Sequence, residues 1–82
     1  MVGKEFKLYK TLCDDNGVRY LKRKTFIVRG NDYGIELLTE ELNNQEGGWT
    51  QKGHGHYGED DNARNYWKSL VKAGYTRNPQ ST

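Results

Sequence analysis

Residues 4–29 read KEFKLYKTLCDDNGVRYLKRKTFIVR, and their alternation decides the fold. From Lys4 to Leu12 the side chains alternate with period two. Phe6, Leu8 and Leu12 point one way; Glu5, Lys7, Tyr9 and Thr11 point the other. That is the pattern of a half-buried strand. Asp14, Asp15, Asn16 and Gly17 follow, and Asn-Gly is a strong hairpin signal because both residues tolerate positive φ. Val18 to Arg29 then reads as the return strand. A two-residue type I′ turn would set Asp15 opposite Val18. It would pair Leu12 with Leu21, Leu8 with Thr25 and Phe6 with Ile27 on one apolar face. The same register places Lys10 opposite Arg23, with Thr11 meeting Lys22 and Tyr9 meeting Lys24 on the other face. Facing cations are unfavourable unless an anion or a carboxylate lies between them. A bulge at the turn would change these pairs.

Outward from the hairpin the signals are shorter. Gly30 to Gly34 is a turn cluster. Ile35 to Leu38 suits a third strand, and equally opens a helix, since Ile35, Leu38 and Leu42 stand at helical spacing. Thr39 followed by Glu40 and Glu41 resembles a helix start. The expectation is a strand over 34–38 and a short helix over 39–45. Glu46 to Gly58 holds Gly47, Gly48, Gly53, Gly55 and Gly58 around Trp49, His54, His56 and Tyr57, and reads as irregular. The clearest helix runs from Asn62 to Ala73. Three acids precede it, Lys68 and Lys72 lie toward its end, and Ala63, Trp67, Leu70 and Val71 form an apolar stripe with Tyr66 at its edge. Gly74 stands where a C′ glycine belongs. The pattern therefore predicts one small α+β domain over residues 1–75. An N-terminal antiparallel β-hairpin, extensible to a three-stranded sheet, carries a C-terminal amphipathic helix packed on it. Residues 76–82 are expected to be a frayed tail.

The chain has 82 residues, and 33% of them are hydrophobic, so its core is thin and gains from a partner, a second copy included. No apolar run approaches the ~20 residues of a membrane span, so no membrane partner is expected. The first ten residues mix charge with hydrophobe, which argues against a signal peptide. Cys13 is the single cysteine, which removes an intrachain disulfide framework and leaves an inert small hydrophobe. A reduced, cytoplasmic setting is the expectation.

The net charge of +2 conceals a segregation. Residues 1–29 carry eight Lys/Arg against three Asp/Glu, a surplus of +5. Residues 30–61 carry one Lys against eight acids, −7, and residues 62–82 carry four basic side chains and no acid, +4. If the two ends pack together they make a cationic face that attracts a polyanion. The opposing possibility is that the central acids neutralise those cations inside the fold.

Three groups of residues can carry function. Lys7, Lys10, Arg19, Lys22, Arg23, Lys24 and Arg29 are interleaved with Tyr9, Tyr20 and Phe26, which suits single-stranded nucleic acid: phosphates meet Lys/Arg and bases stack on rings. Arg64, Lys68 and Lys72, at i, i+4 and i+8, extend that set along one helix face. The candidate nucleic-acid contacts are Tyr9, Lys10, Tyr20, Lys22, Arg23, Lys24, Arg64, Lys68 and Lys72. His54 and His56 would project to one side of an extended strand. With Glu59, Asp60 or Asp61 they suit a metal, and with Lys52 an acid–base pair for RNA cleavage. The surrounding glycines give neither arrangement the rigidity it needs, so no metal, cofactor or catalytic residue is assigned. Trp67 belongs to the core stripe, whereas Trp49 and Tyr57 are candidate contacts for a protein partner.

In pieces, Leu37 to Glu41, Gly48 to His56 and Lys68 to Gly74 resemble the small HicA-type RNase toxins. Gly55 stands where those have the first His of a pair. The resemblance implies a double-stranded-RNA-binding-domain fold and RNA cleavage. The helix segment Asn62 to Leu70 is similar to one in phage antirepressor-like DNA-binding proteins, and both likenesses imply a mobile-element setting. The leading expectation is a non-enzymatic binder of RNA or single-stranded nucleic acid. The alternative is an interaction module, such as a phage-type inhibitor or accessory subunit, that meets a basic protein partner through Trp49, Tyr57 and the acidic middle. A His-based metal site or ribonuclease stands third.

Overall fold

A computed structural model describes residues 3–30, 34–42 and 48–77. Four strands form one antiparallel sheet in the order of the chain: β1 Glu5–Cys13, β2 Arg19–Gly30, β3 Gly34–Leu42 and β4 Thr50–Tyr57. One helix, α1 Asp60–Lys72, follows and packs on one face. The α+β class and the closing helix match the sequence pattern. The double-stranded-RNA-binding-domain arrangement does not, because every described strand precedes the single helix.

The first hairpin forms, with a register one residue away from the two-residue turn. The Asp14 carboxylate accepts from the Asn16 and Val18 amides at 2.8 and 2.9 Å. Gly17 donates to the Asp14 carbonyl at 3.0 Å and takes φ +80°. Asp15, Asn16 and Gly17 thus make a three-residue loop in which only the glycine needs positive φ, whereas a type I′ turn would demand it of Asn16 as well. Phe6 consequently faces Phe26, Leu8 faces Lys24, Tyr9 faces Arg23 and Lys10 faces Lys22. A slip of one residue moves a strand's whole side-chain set to the other face. Leu21, Thr25 and Ile27, expected across from Leu12, Leu8 and Phe6, therefore lie on the sheet's far side.

Two further expectations are corrected. The third strand runs to Leu42, so the helix expected over 39–45 is absent from 39–42; residues 43–45 lie outside the described residues. Thr39, Glu40 and Glu41 pair with both neighbouring strands, and ladder bonding on two sides outweighs a local capping signal. The stretch read as irregular contains β4, in which Gly53 and Gly55 alternate with His54 and His56. Glycine supplies no side-chain pattern, so this strand rests on β3's ladder rather than on local preference. Residues 31–33 of the expected turn cluster lie outside the described residues, as do 46–47 and 78–82.

The core lies between the helix and one sheet face. Leu8, Phe26, Leu37, Ala63, Leu70 and Tyr75 are buried, with Phe6, Ile35, Tyr57, Tyr66 and Trp67 packed around them. Trp67 meets Phe26 edge-on at 5.2 Å and Phe6 at 6.4 Å between ring centres. Asp60 and Asp61 occupy the first helical turn and Lys72 the last, each at the end of the dipole it complements. Gly74, at φ +100°, closes a Schellman motif: its amide bonds the Val71 carbonyl, and the Tyr75 amide bonds that of Leu70. Tyr75 then buries its ring beside Leu70. The next residue, Thr76, exchanges backbone bonds of 2.7 and 2.8 Å with Tyr9 on the edge of β1. The chain therefore holds to the domain past the point where the tail was expected to begin.

Candidate nucleic-acid interface

The corrected register sorts the candidate residues onto two faces. Side chains of the strands alternate, so Lys10, Tyr20, Lys22 and Lys24 share the helix side with Phe6, Leu8 and Phe26. Tyr9 and Arg23 fall on the far side.

On the helix side, Lys10 and Lys22 stand directly opposite each other. Lys10 Nζ donates to the carbonyl of Ala73, the C-cap residue of α1. An ammonium there completes a helix end whose carbonyls carry partial negative charge. Lys24 Nζ donates to Thr39 Oγ1 at 2.8 Å and lies 5.8 Å from the centre of the Tyr66 ring. Burial pushes the Tyr75 phenol above its usual range, with smaller contributions from Tyr66, Tyr20 and Glu41. Glu41 faces Lys22 in the β2–β3 register, yet no ion pair joins them among the described residues. On α1, Arg64, Lys68 and Lys72 are exposed, and one helical face holds them about 6 Å apart along the axis. Lys10 thus reaches the residue after Lys72, at the C-terminal end of the helix row.

The far side is organised differently. Arg23 bonds Glu40 twice, Nε to Oε1 at 2.9 Å and a terminal nitrogen to Oε2 at 2.8 Å, and Thr25 donates to Glu40 Oε1 at 2.8 Å. Trp49 lies over the guanidinium, 3.9 Å from its ring centre, and Tyr9 stands 6.0 Å from Trp49. The bond to Arg23 holds the Glu40 carboxyl below its usual range. Arg23 is thereby committed within the fold. Glu36 likewise pairs with His54 and accepts from Arg29, and these two bonds, His54's the larger, hold its carboxyl below the usual range. His54 and His56 lie two apart on β4, so they share a face as read. Among the described residues, no three His, Cys, Asp or Glu side chains converge as a metal site would require.

The two candidate protein-contact residues separate. Trp49 caps the far side, whereas Tyr57 packs on the helix side with its ring 6.0 Å from Tyr66. Two of the expected acids, Glu36 and Glu40, are spent on internal partners. The cap formed by Trp49 has a signal in the sequence only in hindsight: a Trp after two glycines, with an Arg on the strand two places away.

No protein-family model, no curated protein and no solved structure matches the chain. Among the described residues, no helix is long and apolar enough to cross a membrane.

Proposed function

We propose that this protein is a small non-enzymatic binder of RNA or single-stranded nucleic acid whose contact surface lies on the helix side, around the end of α1. The observation that carries this reading is the bond from Lys10 to the Ala73 carbonyl, which joins two cationic stretches distant in sequence. Lys22 faces Lys10 across the strand pair and Lys72 precedes Ala73, with Tyr20 on the same face of β2 for stacking; Lys24 lies further along β2, bonded to Thr39, and Arg64 and Lys68 continue the track along the helix. The acids Glu36 and Glu40 point to the opposite face, Asp60 and Asp61 lie at the other end of the helix, and Glu41, facing Lys22, is the acid within this surface. Facing lysines on adjacent strands are held together at a cost, which phosphates would relieve. Arg23 and Tyr9 are structural in this reading and leave the contact set.

Fluorescence anisotropy with a labelled single-stranded RNA at low salt tests the proposal. Binding should fall steeply as salt rises, since phosphate contacts release counterions. The double variant Lys22→Glu, Lys24→Glu should lose it. Absence of any binding to RNA or single-stranded DNA at low salt would end this reading.

A further inference from the structure

Where the chain leaves α1 it builds a cleft against β1. Glu5, Phe6, Lys7, Tyr9, Trp67 and Arg77 line it, and its volume is about 420 Å³. Phe6 and Trp67 are its walls, set edge to face with 6.4 Å between ring centres. Both rings are half-buried, so each packs on the core and still shows a surface to the cleft. A cation lies against each: Arg77 stands 5.6 Å from the centre of Trp67, and Lys4 stands 5.5 Å from that of Phe6. The acid of the lining, Glu5, is answered by Lys7 at 3.6 Å. We infer that this cleft seats one unstacked base of a single-stranded RNA whose phosphates run on to Lys68 and Arg64. The inference rests on the nucleic-acid reading and adds to it the place where a base stacks.

The backbone of β1 supplies the polar side of the cleft. Tyr9 turns its N–H and C=O outward to Thr76. In an antiparallel strand that direction repeats every second residue, so Lys7 and Glu5 turn theirs outward as well. Among the described residues, no backbone bond reaches them from that side. The open stretch is bounded. Tyr9 closes it at one end, and at the other Lys4 directs its carbonyl inward to Val28. Two open positions span about 7 Å, less than the strands that pair along a sheet edge. Each position nevertheless offers a donor beside an acceptor, the arrangement that a base edge presents in return. Single-stranded RNA is read in this way, with bases stacked on rings or guanidinium planes and hydrogen-bonded along their edges. Arg77 is exposed, so its guanidinium can lift from Trp67 and close over the base.

The helix joins this cleft to the cationic row. Lys68 follows Trp67 in the chain and Arg64 stands one turn earlier, both exposed. A base held against Trp67 therefore leaves its own phosphate beside the row.

Two oligonucleotides test the inference on the full chain: a short oligoadenylate, and a ribose-phosphate strand of the same length without bases. The Trp67 indole N–H and the amides of Glu5 and Lys7 should shift with oligoadenylate and stay still with the abasic strand. The Trp49 indole should stay still with both. Oligoadenylate should bind about fivefold or more tightly than the abasic strand. Arg77→Ala should bring the two affinities together, whereas Lys68→Gln should weaken both by the same factor. Binding of neither strand would remove the nucleic-acid reading and this inference with it. Equal binding of both strands with Trp67 unmoved would overturn this inference alone, as would an unchanged affinity ratio in Arg77→Ala. Shifts of the same residues on raising protein concentration without RNA would overturn it in favour of a second copy of this chain.

Discussion

The Trp49 indole covers the Arg23 guanidinium at 3.9 Å while that guanidinium grips Glu40 through two hydrogen bonds. The Arg23 and Glu40 side chains are only 14% and 16% exposed, so the pair is largely sheltered from water. Removing either member leaves a sheltered charge without its partner, and removing Trp49 opens both to solvent.

Arg23→Ala should therefore lower stability by about 1–3 kcal/mol, measured by urea unfolding at neutral pH. Glu40→Gln should cost a similar amount, with a pH signature. The folded Glu40 carboxyl sits below its unfolded value, so its contribution is complete above the unfolded value. It is lost as pH falls through the folded value. The stability gap between the natural protein and Glu40→Gln should narrow steadily over that acid range. A gap that stays constant would show that the ion pair contributes nothing.

Two glycines with positive φ separate strain from collision. At Gly17, φ is +80° and a Cβ would meet nothing within 4 Å. Gly17→Ala should cost the left-handed strain alone, about 1–2 kcal/mol. At Gly34, φ is +70° and a Cβ would lie 2.1 Å from the Tyr57 carbonyl oxygen. Gly34→Ala must also push β4 away from the start of β3, so its loss should exceed that of Gly17→Ala in the same denaturation experiment.

Tyr75 is 9% exposed and is the residue through which the Schellman turn is locked into the core. Tyr75→Ala should cost about 3–5 kcal/mol, as for other large buried aromatics. A chain ending at Gly74 should be destabilised further, because it also forfeits the two Thr76 bonds to Tyr9. Thermal unfolding followed by circular dichroism would rank the three proteins.

If phosphates lie along the helix-side lysines, Lys22→Gln and Lys68→Gln should each weaken RNA binding across all sequences. Each should also reduce the slope of log affinity against log salt by about one. Glu36→Gln, on the opposite face, should leave that slope unchanged. A slope altered equally by all three would place the contact elsewhere.

Some of this was legible in the chain alone. The alternation from Lys4 to Leu12 marks a strand whatever it pairs with. The stripe of Ala63, Trp67, Leu70 and Val71, with Tyr66 at its edge, defines an amphipathic helix, although Val71 turns out exposed and Tyr66 packs on the core in its place; Gly74 marks the helix end by the backbone conformation it permits. These signals are local, because they depend on periodicity and on individual residue conformations. The face of β2 that meets the helix was not legible. Tyr20, Phe26 and Val28 lie on one side and Leu21 and Ile27 on the other, so either register buries apolar groups. The choice fell to the Asp14 carboxylate, whose two amide bonds shape a three-residue turn. That turn sent Arg23 away from the cationic surface and set Lys22 against Lys10. β4 was hidden for a related reason, since glycines carry no pattern and only the unpaired amides of β3 make a strand of them. Sequence determined the elements with their own periodicity; tertiary structure decided register and edge, because those depend on bonds between residues that no local pattern relates.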